Sequence, residues 1–248
     1  MLKTRIIPIL TFNGFGLVKT KKFTNPRMVG NPVQAAKVYN SRGVDELVFV
    51  DIFASKQNRK INLKLVGEVV KECYMPVAIG GGIETIKDIN DLLKIGADKV
   101  VIKTQALTNT NFIKEAVSFF GSQCITIAVD GFKSGESYKI KNDLGIDIDV
   151  ERFVNTMEEC QVGEFIVNSV DNDGMMGGFD IDLINKVKAI SKVPVIAAGG
   201  GGELKHYSDL FLQTSIGAVA SASIFHFTQF TPHDIKVEIG SKGFPVRL

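Results

Sequence analysis

The sequence predicts an α/β chain folded as a (β/α)8 barrel of the TIM type, with a two-fold half-barrel repeat. Three observations carry that expectation. First, short apolar runs alternate with amphipathic stretches along all 248 residues. Second, eight such runs read as buried strands: "RIIPIL", "ELVFVDI", "MPVAIGG", "DKVVIKT", "CITIAVD", "EFIVNSV", "VPVIAAGG" and "GAVASA". Third, the two halves are alike. "MPVAIGGGIE" (75–84) is echoed by "VPVIAAGGGGE" (193–203), and "VDELVFVD" (44–51) by "VGEFIVNS" (162–169). Glu46 and Glu164 are 118 residues apart, as are Pro76 and Pro194. Four βα units used twice close naturally into eight. An open doubly wound sheet is the alternative. The expected organisation is a single domain over 1–248, with half-barrels of about 1–120 and 121–248.

The strand runs are rich in Val and Ile and too continuous for a sheet with one wet face, so they suit a parallel sheet covered by helices. Helical stretches lie between them. Asn31 is an N-cap before Pro32 at the first helical position, with Val33, Ala36 and Tyr39 on one face and Gly43 past the end. Leu65, Val66, Val69, Val70 and Cys73 form a second stripe. Ile86, Ile89 and Leu93 form a third, closed by Gly96, and Ile184, Val187 and Ile190 form a later one.

The bulk numbers narrow the function classes. With 45% hydrophobic residues the chain is long enough for one well-buried core, and a net charge of +2 gives no sign of a nucleic-acid surface. Cys73, Cys124 and Cys160 are scattered, which suits reduced thiols better than a disulfide framework or a zinc site. No apolar run approaches the ~18–20 residues of a membrane helix. "MLKT" leads straight into a strand-like run with no signal peptide, so a cytoplasmic setting is expected. No His/Asp/Glu spacing recommends a metal, and no cofactor is expected.

In such a barrel the chemistry belongs at the C-terminal strand ends. Strand by strand these deliver Thr11, Asp51, Gly80 to Gly82, Lys103 with Thr104, Asp130, Asn168 with Ser169, Gly199 to Gly202, and Ser221 with Ser223. Asp171 and Asp173 follow in "DNDGMMGG". The two glycine-rich exits, each entering a helix, suit anions held by backbone N–H groups, and tight turns are the bland alternative. Asp130 is the candidate for proton transfer, poised by desolvation, against a loop-capping role. Asp51 either meets ligand or orients its neighbours. The stretch 14–32, with Lys19, Lys21, Lys22 and Arg27, is long for a βα loop and reads as a basic lid over the mouth. At the opposite strand ends stand Arg5, Glu46, Lys99 and Glu164, two positive and two negative. They read as a stability ring or as a gate across the barrel axis.

The whole chain resembles the cyclase subunit of imidazole glycerol phosphate synthase. The likeness runs from "RIIP" and "GLVKT" through "VDELVFVDI", "GGGI", "GADKVVIKT", "FGSQ" and "DNDG" to "SIFHF" and "VRL". It implies a glutaminase partner docked on the barrel bottom and ammonia passing through the barrel to a bisphosphorylated substrate at the top. It implies that Arg5, Glu46, Lys99 and Glu164 form the ammonia gate and that Asp98 faces the glutaminase. It implies one phosphate site at Gly82 and Thr104 and another at Gly174, Gly200 and Ser223; from their places at strand ends and in the loops, Lys19, Asp51, Lys103, Asn168 and Asp173 are expected to contact substrate as well. Asp130 matches one of the family's two catalytic aspartates. Where the other belongs this chain has Thr11, 119 residues before Asp130. Lys103 stands where Asn is expected, and Asn168 where Thr is expected. A threonine hydroxyl does not carry a proton at neutral pH as a carboxylate does.

That pattern resembles the branch of the family associated with surface polysaccharides. The expected function is therefore an ammonia-channelling synthase subunit that serves amidation or amidine formation on a sugar. Its small-molecule partner is expected to be anionic, a phosphorylated compound or a nucleotide-sugar. The alternatives are the histidine-pathway cyclase itself and a non-catalytic scaffold that activates a glutaminase.

Overall fold

The computed structural model describes residues 2–248, and its centre is a closed ring of eight parallel strands. In ring order these are β1 (Arg5–Phe12), β4 (Leu47–Asp51), β5 (Val77–Gly80), β6 (Lys99–Ile102), β7 (Ile125–Ser134), β9 (Glu164–Ser169), β10 (Val195–Ala198) and β11 (Ala218–Ser221). The β11 strand pairs back onto β1 with Arg5 opposite Ala218, which closes the barrel. Each wall strand is followed by helical structure: α1 (Pro32–Ser41), α2 (Leu63–Lys71), α3 (Ile86–Ile95), α4 (Thr104–Thr108) with α5 (Thr110–Phe120), α6 (Val150–Glu159), α7 (Ile181–Ile190), α8 (Leu204–Gln213), and α9 (Ser223–Phe227) with α10 (Pro232–Ser241). All eight expected strands are present and parallel, and the open-sheet alternative is excluded by the β1–β11 pairing.

The helices start where local chemistry starts them. The Asn31 side chain accepts from Val33 N–H at 2.9 Å and Gln34 N–H at 3.2 Å, with Pro32 in the first turn. Thr85 and Asp88 cap α3 reciprocally, and Gly96 ends it at φ +111°. The α3 stripe is wider than expected. Leu92 is buried beside Ile89, while Ile86 and Leu93 only pack against the core.

Two apolar layers result. The larger lies between strands and helices and includes Leu10, Phe49, Phe165 and Tyr207. The smaller fills the lumen: Ile7, Val48, Ala78, Val101, Ile166, Ile196 and Ala218, with Ile9, Val50 and Ala128 against it. Strand alternation puts every second residue in this lumen.

Two parts differ from the sequence expectation. The stretch 14–32 is a hairpin, β2 (Leu17–Lys21) and β3 (Thr24–Gly30), with Lys19 opposite Arg27, and β2 pairs antiparallel with β1. Apolar alternation is weak there because β3 is almost wholly exposed, so the segment reads as a loop. The second is the approach to α6, where β7 runs past the barrel rim and folds back as β8 (Ser137–Ile140).

The C-terminal helix α10 is locked to the barrel by Lys236. Its ammonium bonds the Gly43 carbonyl at 2.9 Å and Asp45 at 3.1 Å, with both side chains nearly enclosed. Asp45 in turn accepts from Ile6 N–H at 2.9 Å. Removing one partner of such a pair leaves an uncompensated buried charge. Lys236→Ala is expected to lower the unfolding free energy by about 3–5 kcal/mol, read from urea midpoints at unchanged m-value.

Candidate active site

The lumen-facing positions of five strands start on a polar group and continue with apolar ones, and all but β4 end on a polar group again. On β1 the series is Arg5, Ile7, Ile9, Thr11. On β4 it is Glu46, Val48, Val50. On β6 it runs Lys99, Val101 and, one residue past the strand, Lys103; on β9 it is Glu164, Ile166, Asn168. On β7 it is Thr126, Ala128, Asp130.

At the bottom the four charges close on one another. Arg5 bonds Glu46 at 2.7 Å and Glu164 at 3.0 Å. Lys99 bonds Glu46 at 3.0 Å and Glu164 at 2.7 Å. Each charge therefore has two opposite neighbours, and Thr126 donates to Glu164 at 3.1 Å. Burial alone would raise the Glu164 carboxyl, but Arg5 and Lys99 outweigh it and hold it below the usual carboxylate range. Asp98, on the exposed rim beside this ring, accepts from Val77 N–H at 2.8 Å. Tyr74, a residue with no role in the sequence reading, is 91% exposed at the turn that enters β5.

At the top the expected residues do assemble, but with different partners. Asp130, expected to be poised by desolvation or to cap its loop, accepts a bond from Lys103 to its Oδ2 at 2.6 Å. The Phe23 ring, from the hairpin tip, lies 5.8 Å from the same ammonium. Thr11 donates its hydroxyl to the Val18 carbonyl, so strand and hairpin share that proton. Asn168 stands beside Asp130 in the β7–β9 register, and its Oδ1 is buried without a donor. The Ser223 hydroxyl, at the start of α9, is also buried without a partner. Thr104 opens α4 in the corresponding way.

Three candidates are held in ion pairs. Asp51 faces outward and its side chain is fully enclosed. Arg59 grips it at 2.5 and 2.9 Å, and Phe53 and Ala54 N–H donate to it. Through these bonds it shapes its loop. Lys19 is not a free lid cation: it is buried and bonds Asp173 at 2.6 Å. Asp173 also accepts from Thr20, so this pair pins the hairpin to the β9–α7 loop. Desolvation explains the pairing, because a lone buried charge is costly. The lid reading is left to the exposed cations Lys21, Lys22 and Arg27.

Three of the glycines have a packing reason beside any ligand reason. A Cβ on Gly82 (φ +66°) would come 2.4 Å from the Arg59 carbonyl oxygen. One on Gly200 (φ +115°) would come 2.0 Å from that of Gly178. Gly174 is pressed against the Thr20 carbonyl in the same way. Arg59 and Phe23 escaped the sequence reading because neither lies on a strand end or in a motif. Only the fold brings Arg59 onto Asp51 and Phe23 over Lys103.

Glu164 has a testable pH signature. Its folded-state carboxyl lies below its unfolded value, so its contribution to stability is present above the ordinary carboxylate range. That contribution is lost as pH falls through the lowered folded value. Glu164→Gln is expected to destabilise the protein by about 3 kcal/mol at pH 7. The gap to the unmutated protein is expected to narrow as pH drops below about 4, measured by urea titration across pH.

The described residues contain no helix long and apolar enough to cross a membrane. A family model described as "Histidine biosynthesis protein" matches residues 5–231. The chain is 37% identical to the imidazole glycerol phosphate synthase subunit HisF of Clostridium botulinum (strain Langeland), 38% to that of Streptococcus mutans, and 40% to that of Staphylococcus saprophyticus. Each alignment covers 100% of both proteins. With its barrel, its charge ring and this likeness over the full length, the chain belongs to the histidine biosynthesis protein family and resembles the HisF subunits within it.

Proposed function

We propose that this chain is the ammonia-accepting synthase subunit of a glutaminase-coupled enzyme. The observation that carries the reading is the closed ring of Arg5, Glu46, Lys99 and Glu164 across the lumen, with an apolar path above it and polar groups at its far end. A small neutral molecule crosses such an apolar layer at far lower cost than an ion. Exposed Tyr74 and Asp98, on the same rim as the ring, suit a docked glutaminase. At the mouth the unpartnered Ser223 hydroxyl, with Thr104, supports phosphate binding by an anionic substrate.

Two acceptors remain. Likeness to HisF subunits over the full chain favours formation of imidazole glycerol phosphate. The mouth favours a different acceptor, such as a surface-polysaccharide sugar undergoing amidation. It holds one carboxylate, already bonded to Lys103, and a hydroxyl, Thr11, where the family's second acid belongs. Loss of one acid–base group commonly costs ~10²–10⁴ in rate. With ammonium chloride and the HisF substrate, imidazole glycerol phosphate formation is expected to run at least ~10² below a HisF relative. Rates within about tenfold would make cyclisation this chain's own reaction and remove the sugar reading.

The gate has its own test. Lys99→Ala is expected to cut glutamine-driven turnover in the presence of the glutaminase while sparing ammonium-driven turnover, since only the first uses the ring. Equal loss of both activities would assign the ring to stability alone.

A further inference from the structure

The mouth of the lumen contains an acid–base pair, though not a pair of carboxylates. Lys103 Nζ lies 2.6 Å from Asp130 Oδ2, and the two side chains are 27% and 13% exposed, so molecules at the mouth can reach both. A lysine ammonium carries three N–H donors, and Asp130 accepts one of them. The carboxylate keeps its second oxygen, and Thr11 has already committed its proton to Val18. Asn168 adds an amide beside Asp130. Its oxygen is turned to the wall at Gly199, where a Cβ would come within 2.4 Å, so its NH2 faces the opposite way.

We propose that Lys103 and Asp130 act together as a proton relay for the addition of ammonia to a carbonyl-bearing acceptor, with Asn168 a further donor to the carbonyl oxygen. This rests on the ammonia-accepting reading above. The step balances without a co-reactant. The ammonia lone pair forms the C–N bond while the C=O π pair moves onto oxygen. Asp130 takes one proton from the attacking nitrogen, and Lys103 gives one to the developing alkoxide. The product is a carbinolamine. The short Lys103–Asp130 contact then returns the proton from the carboxylic acid to the amine, which restores the starting pair. Donors aimed at the oxygen where charge develops are the usual source of rate in such additions. Phe23 over the ammonium covers the pair on the side of the hairpin.

The experiment uses the full chain with ¹⁵N-ammonium chloride and ribulose 5-phosphate as the carbonyl probe. The imine is trapped by cyanoborohydride, and ¹⁵N-amino sugar phosphate is quantified by mass spectrometry. Unmutated protein is expected to accelerate incorporation. Asp130→Asn and Lys103→Met are expected to lower the enzymatic rate by at least ~10². Lys103→Arg keeps the charge and reaches the carboxylate but does not give up a proton. It is expected to lose the rate equally while probe binding, followed by ligand-observed NMR, stays within about threefold. If Lys103→Arg keeps the rate, Lys103 supplies only charge and the relay is overturned. Parallel loss of rate and probe binding in Lys103→Arg would also overturn it, as a positioning role. If unmutated protein incorporates no ¹⁵N, the ammonia-accepting reading falls and the relay falls with it.

Discussion

Closure of the parallel sheet is the constraint on which the rest depends. Once β11 pairs with β1, every second side chain of each wall strand is committed to a lumen of side-chain width. The chain fills it in layers: charges at the bottom, aliphatic side chains of mixed size in the middle, and polar groups at the top. A single register slip would exchange this set for the outward one and place Leu47 or Phe49 in the lumen and Glu46 among the helices. The polarity of the lumen is therefore set by strand register as much as by composition.

Burial then dictates how the charges are arranged. Bringing an ion out of water costs more than a single weak contact returns, so enclosed charges occur in pairs or rings. Lys236 with Asp45 holds the C-terminal helix, Arg59 with Asp51 holds the loop after β4, and Lys19 with Asp173 holds the hairpin. Each of these three pairs ties one element to another. The bottom ring differs because it spans the axis. The Lys103–Asp130 pair differs again because it stands at the open end, within reach of small molecules.

Within its family the chain keeps the charge ring and differs at the mouth. The ring residues occupy the positions that the resemblance implies, whereas Thr11, Lys103 and Asn168 depart from the family pattern together. All three face the same mouth, around Asp130. Relative to the two aspartates that the resemblance implies, a hydroxyl at Thr11 and an ammonium at Lys103 make the local charge balanced instead of acidic. That shift suits donors to a carbonyl oxygen better than a two-acid mechanism, and it gives the three departures one chemical direction.

Much of this was legible in the sequence. Continuous Val- and Ile-rich runs, a 118-residue echo and capped helices predict eight βα units, because strand and helix periodicity are local properties. Arg5, Glu46, Lys99 and Glu164 were identifiable from their places at strand starts, and Asp130 and Thr11 from their places at strand ends. What only the tertiary structure decided is which charge meets which. Lys19 reads as a lid cation until the hairpin folds it onto Asp173, 154 residues away. Asp51 reads as a ligand contact until Arg59 encloses it, and Lys103 reads as an anion binder until it closes on Asp130. The physical reason is common to all three. A side chain's backbone position is written in its strand, but its partner is chosen by desolvation, which exists only once distant segments have come together.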